Sequence, residues 1–251
     1  MPHALKNSQE IEIMRRCGKI LAETLQKLKQ AAKPGIKTEE LNELCIRLCE
    51  ENGTTPTFLG YRNFPGAICS SVNEQVVHAI PGKYELKPGD LVSIDCGMTL
   101  QGLITDATIS FIVKGKDNPK AERLLKVGEK ALRAGIKEIK PGKRVGDISF
   151  AIQSVVQQAG YHIIKHLTGH GVGRELHEPP IINNFGKKGQ GPALKPGMTL
   201  AIEPIIGEKT RHTKTLEDNW TIATKDGSLS IQIEHTILVT PQGHEILTLS
   251  S

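Results

Sequence analysis

Leu91-Val-Ser-Ile-Asp95-Cys-Gly-Met-Thr-Leu-Gln-Gly102-Leu-Ile-Thr-Asp106-Ala-Thr-Ile-Ser-Phe-Ile-Val113 is the stretch on which the reading of this chain turns. Two β-prone runs flank a Gly-containing turn, which predicts a hairpin. Each strand carries one Asp among apolar neighbours. A buried carboxylate is costly unless it is paired or binds a metal. Two on adjacent strands also repel and push each other's pKa up. A divalent cation between them removes both costs. Two Asp residues alone fit equally well one exposed turn Asp and one strand-edge Asp, so the rest of the chain decides.

The chain has 251 residues, 38% hydrophobic and 24% charged, an ordinary globular balance with enough length for a large core. It is read as a single catalytic domain over 1–251, built from pseudo-repeat halves of roughly 1–115 and 116–251. No apolar run reaches about 18 residues, which excludes a helical membrane span. The opening Met1-Pro-His-Ala-Leu-Lys-Asn7 has no apolar core of a signal peptide. Five Cys, odd in number and without a C-x-x-C pair, read as reduced thiols of a cytoplasmic protein. Cys45 and Cys49 are expected to fill apolar space on a helix. A net charge of +5 permits contact with an RNA-rich partner such as a ribosome, and nothing points to sequence-specific nucleic-acid binding.

In chain order, Ser8 reads as an N-cap, and Gln9 to Ala32 has helical periodicity through Ile13, Cys17, Ile20, Leu21, Leu25 and Leu28. Lys33-Pro34-Gly35 stops that helix. Thr38 reads as the cap of a second helix ending at Gly53. Asn118-Pro119 starts a third helix to about Ile139, and a fourth covers Asp147 to Gln158. The remainder reads as β: Ile163 to Leu167, Thr199 to Ile206, Trp220 to Thr224, Ser230 to Val239 and a short tail strand.

This order repeats itself. Pro34-Gly35 recurs as Pro141-Gly142, 107 residues on, and the helices that follow end at Gly53 and Gly160, again 107 apart. Leu86-Lys-Pro-Gly89 recurs as Leu194-Lys-Pro-Gly197 at an offset of 108, and each copy leads to an acidic residue, Asp95 and Glu203, at that same offset. Two units are too few for a solenoid, so a pseudo-symmetric pair is expected. Fusing the halves would bring Asp95 and Glu203 towards a shared axis, a common place for a ligand site.

Three further motifs complete the set. Thr168-Gly-His170-Gly-Val-Gly173 holds one His among small residues that permit close approach. Ile202-Glu203-Pro204 puts a carboxylate at a strand end, because Pro204 argues against a continuing strand. Ile231-Gln-Ile-Glu234-His235-Thr alternates, so Glu234 shares a face with Gln232 and Thr236. A lone His is more often structural, and His170 gains weight only from this company. Four carboxylates and one imidazole suit Mn, Fe, Co or Zn, and four negative charges balance two dications. Gly171-x-Gly173 is too incomplete for a nucleotide loop.

Taken together, Ile94-Asp-Cys-Gly, Thr105-Asp-Ala-Thr, Gly169-His-Gly-Val-Gly, Ala201-Ile-Glu-Pro and Ile233-Glu-His-Thr resemble the methionine aminopeptidases over nearly the whole chain. The short interval of 33 residues from His170 to Glu203, and the lack of a zinc-finger stretch ahead of the motifs, resemble the type 1 enzymes of bacterial form. The resemblance implies an α+β pita-bread fold, in which a curved, mainly antiparallel sheet from two pseudo-symmetric αβ halves is covered by helices. It implies that Asp106 and Glu234 bridge two divalent ions, with Asp95 completing one and His170 and Glu203 the other. A water between the ions would be the nucleophile, and Glu203 would take its proton and pass it to the leaving amine. His78 matches the His at the scissile amide, and His177 the His that steadies the carbonyl. Phe58, Tyr61, Phe64, Cys69 and Trp220 would form the methionine pocket. Leu176 and Phe64 depart from the family, which often has an aromatic residue and a Tyr there. The implied substrates are peptide or nascent-chain N-termini with a small second residue, and the implied enzyme is a cytoplasmic monomer. Met1-Pro2 itself fits that rule.

Two other readings use the same residues. A fold relative that cuts before proline shares the five ligands and both His positions, but such enzymes usually carry a further N-terminal domain. A non-catalytic relative that binds RNA or protein tends to lose ligands, and this chain keeps all five.

Overall fold

The computed structural model describes residues 5–249, so the start Met1-Pro2 lies outside the described residues. The central hairpin forms as expected, with Leu91–Leu100 paired antiparallel to Leu103–Ile112. Its turn places Gln101 and Gly102 at φ 51° and 78°. Left-handed backbone at both central residues matches the twist of the flanking strands, and Gly is the cheapest way to supply it. Thr55–Pro56 and Cys69–Val72 pair with the other edge of Leu91–Leu100. A five-stranded sheet in the second half runs Gly243–Ile246, His235–Thr240, Thr199–Ile202, Thr168–Gly171, Glu178–Asn183.

Four helices cover these sheets: α1 Ser8–Ala31, α2 Thr38–Glu51, α3 Pro119–Lys137 and α4 Val145–Gln158. Each buries the stripe its periodicity defines. Cys17, Leu21, Leu25 and Leu28 of α1 pack with Leu41 and Cys45 of α2 on Ile94, Cys96 and Met98. Leu124, Ala131, Leu132, Ile148 and Ile152 of α3 and α4 pack on Leu200, Ile202 and Ile237. Two apolar cores, one under each helix pair, are the physical content of the two halves.

The repeat is visible in the backbone pairing. Lys37 bridges Glu85, and Arg144 bridges Ala193. Leu86 N–H donates to Ile36 C=O (2.9 Å), and Leu194 N–H donates to Lys143 C=O (2.8 Å). These are the same bonds made twice at the offsets found in the sequence. The halves join where Thr108 and Glu234 exchange backbone hydrogen bonds. A smaller sheet also crosses between them, with Gln75–Val77 of the first half against Ile222–Thr224 of the second.

Several local expectations are corrected. The N-cap of α1 is Asn7, whose side chain accepts from Glu10 N–H while Glu10 answers to Asn7 N–H; Ser8 is the first helical residue. The α2 N-cap is Lys37, with Glu40 reaching back to its N–H, because the Thr38 hydroxyl is taken by Gly82. The fourth helix starts at Val145, with Asp147 reaching back to Arg144 N–H. Ile163 to Leu167 is a strand only at His162–Ile163, and Trp220 to Thr224 only at Ile222–Thr224. Thr199 to Ile206 breaks at Glu203-Pro204, and Ser230 to Val239 breaks at Ile233-Glu234. Each break marks a strand leaving one sheet for another: Ser230–Gln232 pairs with Ile205–Gly207, and His235–Thr240 pairs with Thr199–Ile202.

Candidate metal centre

Hairpin register sets the first two acids. Asp95 lies opposite Thr108, and Asp106 lies opposite Gly97, so both carboxylates leave one face, two residues apart along the ladder. Gly97 is required there: a Cβ would come within 2.6 Å of the Phe58 ring, which lies across the strand. Glu203 leaves the chain where Pro204 ends its strand, and Asn184 Nδ2 fixes its carbonyl at 2.8 Å. Glu234 sits in the break before His235–Thr240 and accepts from Thr108 Oγ1 at 3.0 Å. Two residues on, the Thr236 hydroxyl accepts from Asp106 N–H (2.9 Å) and donates to Asp106 C=O (2.8 Å). His170 lies between Gly169 and Gly171, whose added Cβ atoms would each come within 2.4 Å of a neighbouring strand's carbonyl oxygen. These glycines therefore serve strand packing, which draws the His170 strand close to its neighbours.

All five ligand candidates line one cavity of about 440 Å³. His170 Nε2 lies 3.5 Å from Glu203 Oε1 and 3.9 Å from Asp106 Oδ2. Ligand atoms of Asp106, His170 and Glu234 all fall within 4.8 Å of one another. Among the described residues, Asp95 Oδ1, Asp106 Oδ1 and Glu234 Oε1 are buried with no hydrogen-bond partner. Buried polar atoms are normally satisfied, and orphaned carboxylate oxygens converging on one space fit a cation. Burial pushes the Asp95 carboxyl up to about 7. Burial, then the neighbouring acids, holds Asp106, Glu203 and Glu234 well above the usual carboxylate range. Burial, then His177, pushes the His170 imidazole down to about 4, so it is the neutral ligand form at neutral pH.

The two further histidines face the same space. His78 holds a left-handed backbone, φ 58°, a conformation uncommon outside glycine and clustered at functional sites. The His177 ring lies 4.4 Å from that of His170, and its Nδ1 is 3.0 Å from Tyr61 Oη. Burial lowers both pKa values, with His177 adding to the effect on His78 and Arg62 to that on His177. The apolar end is formed by Phe58, Tyr61, Phe64, Cys69 and Trp220, with Phe64 and Trp220 edge to face at 5.1 Å. Cys69 lies opposite Asp95 in the ladder, where burial and then that carboxylate raise its thiol pKa.

The twelve residues singled out in the sequence thus share one cavity. Gln232, read there only as a face-mate of Glu234, holds Glu203 through Nε2 to Oε2 at 3.2 Å. Thr108 received no role, although it is two residues beyond Asp106 and so on the same face. Arg62, His166 and Thr168 also line the cavity; Thr168 opens the motif that carries His170, and no local pattern marks the other two.

A buried set of acids and an imidazole open to a peptide-sized cavity, at the join of two αβ halves, defines a metallopeptidase centre. The family model for metallopeptidase family M24 matches residues 12–241, and the chain belongs to that family. It is 46% identical over 245 residues to a methionine aminopeptidase of Clostridium perfringens, covering 98% of each chain. It superposes on the crystal structure of methionine aminopeptidase from Thermotoga maritima with a TM-score of 0.96 and 42% identity, covering 99% of this chain and 100% of that one. Prolidase from Pyrococcus furiosus shares the fold alone, with a TM-score of 0.81 at 24% identity, and this chain covers 66% of its length.

The charge set predicts how stability depends on pH. The raised carboxylates keep protons in the folded state that the unfolded chain has lost, so their effect is a stability that falls as pH rises. The lowered histidines act in the opposite direction, but only below their unfolded pKa of about 6.5. From about pH 6.5 to pH 7.5 the histidine effect fades while Asp95 still gives up its proton through about pH 7, so the carboxylate effect prevails. In chelator, Tm should fall across that interval, and saturating Mn²⁺ should remove the fall. A flat Tm in chelator, unmoved by Mn²⁺, would contradict the site.

Proposed function

We propose that the chain hydrolyses the first peptide bond of peptides and nascent chains that begin with methionine followed by a small residue. The observation that carries this is the cavity itself: acids, imidazoles and an apolar end meet within about 440 Å³. Asp95, Asp106, His170, Glu203 and Glu234 would hold two divalent ions drawn from Co, Mn, Fe and Zn. Asp106 and Glu234 would be shared between the ions, with Asp95 serving one and His170 and Glu203 the other. Ligands from both halves make 1–251 one catalytic domain. Bound there, such ions supply Lewis acidity and lower the pKa of water.

The protein's own groups do the rest. Glu203, raised by burial and by Asp95, can hold a proton and pass it to the leaving amine. Gln232 fixes its Oε2, which orients the carboxylate. His78 faces the leaving nitrogen. In the tautomer whose Nδ1 accepts from Tyr61 Oη, His177 would carry its proton on Nε2 and could donate it to the substrate carbonyl oxygen. The apolar end seats the methionine side chain.

Exposed Lys209, Arg211 and Lys214 lie on the strand region that meets the cavity rim through Thr213 and His166, at 3.2 Å. That basic edge supports presentation of nascent chains at a ribosome. Since every ligand comes from one chain, a monomer suffices, and the five unpaired buried Cys suit the cytoplasm.

The test is release of methionine from Met-Ala-Ser, set beside Ala-Pro-Ala, with added Mn, Fe or Co after chelation. Cleavage of Ala-Pro-Ala alone would transfer the site to a proline-directed peptidase, and a protein that holds no metal and cuts neither peptide would be a non-catalytic relative. His78→Ala and His177→Ala should each keep their metals yet slow turnover by about 10²–10³-fold, the usual cost of a lost transition-state donor. A drop in metal stoichiometry in either variant would make that His a ligand instead.

A further inference from the structure

A second buried charge cluster lies behind the loop that carries His177. Residues 172–177 join the strands Thr168–Gly171 and Glu178–Asn183. The first residue of the second strand, Glu178, gathers three donors. Its Oε2 accepts from Lys6 Nζ, whose side chain is wholly buried. Its Oε1 accepts from the backbone N–H of Arg174 (2.6 Å) and of Glu175 (3.1 Å). One carboxylate therefore ties the loop's turn to the N-terminal segment.

The segment is itself anchored, with Lys6 N–H donating to Gly197 C=O at 2.8 Å. The Lys6 stem fills the space over Gly173, where a Cβ would come within 2.1 Å of Lys6 Cε. An outer pair reinforces the inner one: Arg174 Nε and Nη2 donate to Glu10 at 2.7 and 2.8 Å. A buried ion pair is a weak source of net stability, since well-packed apolar side chains of similar volume often serve as well. Its value lies in fixing one geometry, and the residue held next to it is His177.

We infer that the Lys6–Glu178 pair is a positioning device that holds residues 173–178 so that His177 meets the reacting carbonyl. Neither residue touches the cavity; both act through the loop. This rests on the role given to His177 above, and extends it to the N-terminal segment as a working part of the site. Misplacing a catalytic group by about 1 Å can cost up to about 10²-fold in rate.

The experiment uses the metal-loaded enzyme and Met-Ala-Ser. Lys6→Met should lower kcat by about 10- to 100-fold, leave KM within about twofold, and leave metal stoichiometry unchanged. Amide hydrogen exchange across residues 174–178 should quicken. Glu178→Gln, which keeps an acceptor for the two backbone N–H groups, should behave alike, and it carries the test if Lys6→Met does not fold. In a His177→Ala background, Lys6→Met should add less than about a twofold loss, because the device has nothing left to position. An unchanged kcat in both single variants, or the same loss with and without His177, would overturn the inference. Were the wild type not to release methionine at all, the proposed function would fall. The exchange measurement would then decide whether the pair orders the loop, and unaltered exchange would overturn that part as well.

Discussion

Asp106→Ala should abolish methionine release and lower metal stoichiometry, while leaving the fold intact. Three features single this residue out. Its backbone is pinned from the other half by the Thr236 hydroxyl, so its side chain is held where the halves meet. One carboxylate oxygen lies 3.9 Å from His170 Nε2, and the other is buried without a partner among the described residues. Burial and then Asp95 hold its pKa well above the usual range, so in the absence of a cation it is an electrostatic liability. Loss of an outer partner of a metal ligand typically costs about 10–100-fold in affinity or activity, and loss of a bridging ligand should cost more. In chelator the same substitution removes the repulsion of Asp106 with Asp95, Glu203 and Glu234, so Tm should hold or rise. Metal analysis, turnover and Tm of the purified variant check all three expectations. Two retained ions with near wild-type turnover would show that Asp106 bridges nothing.

The parts of the fold that were legible are those set by local chemistry. Apolar spacing located α1 to α4, and Gln101-Gly102 between β-branched runs located the hairpin. Its register is not legible there; the two-residue turn sets it, pairing Asp95 with Thr108 and Asp106 with Gly97 so that both Asp side chains share a face. What stayed illegible depends on distant partners. Thr168–Gly171 has few β-forming side chains, yet it forms a strand because the chains beside it supply the ladder. Glu178–Asn183 contains Pro179 and Pro180, which argue against a strand, and it is tolerated because this strand is a sheet edge. The stretch Ile231 to Thr236 reads as one alternating strand, so nothing local shows that it changes sheets at Ile233-Glu234. That change of sheet is what sets Glu234 against Thr108. Among the site residues, the acidic candidates stand out because acids in apolar runs are unusual. Gln232 and Thr108 could not, since a polar residue on a strand is ordinary until its partner is known.

Across a Met-X-Ser series, cleavage should be rapid for X = Gly, Ala or Ser and nearly absent for X = Lys or Leu. The prediction follows from the two ends of the cavity. At the apolar end, Tyr61, Phe64, Cys69 and Trp220 leave a slot that suits the unbranched, flexible thioether of methionine. A first residue shorter by a methylene or so should lose about 1–3 kcal/mol, so other unbranched residues should be cut slowly rather than not at all. At the polar end, the second residue would lie beside His78 and His177. Tyr61 is joined to His177 at 3.0 Å, and the His177 ring sits 4.4 Å from that of His170. These rings cannot withdraw without breaking that contact and the packing behind it, so a large second side chain must displace a catalytic group or fail to seat. Selection at the first position is therefore a graded loss of burial, and selection at the second is steric exclusion. The two should separate kinetically. Shortening the first residue should raise KM, whereas enlarging the second should reduce kcat/KM steeply once X exceeds the size of Ser or Thr. Rates for X from Gly to Trp, with Leu and norleucine replacing methionine in a parallel set, measure both effects. A flat profile across X, or a preference for Leu over Met at the first position, would leave a broader aminopeptidase on the same metal site.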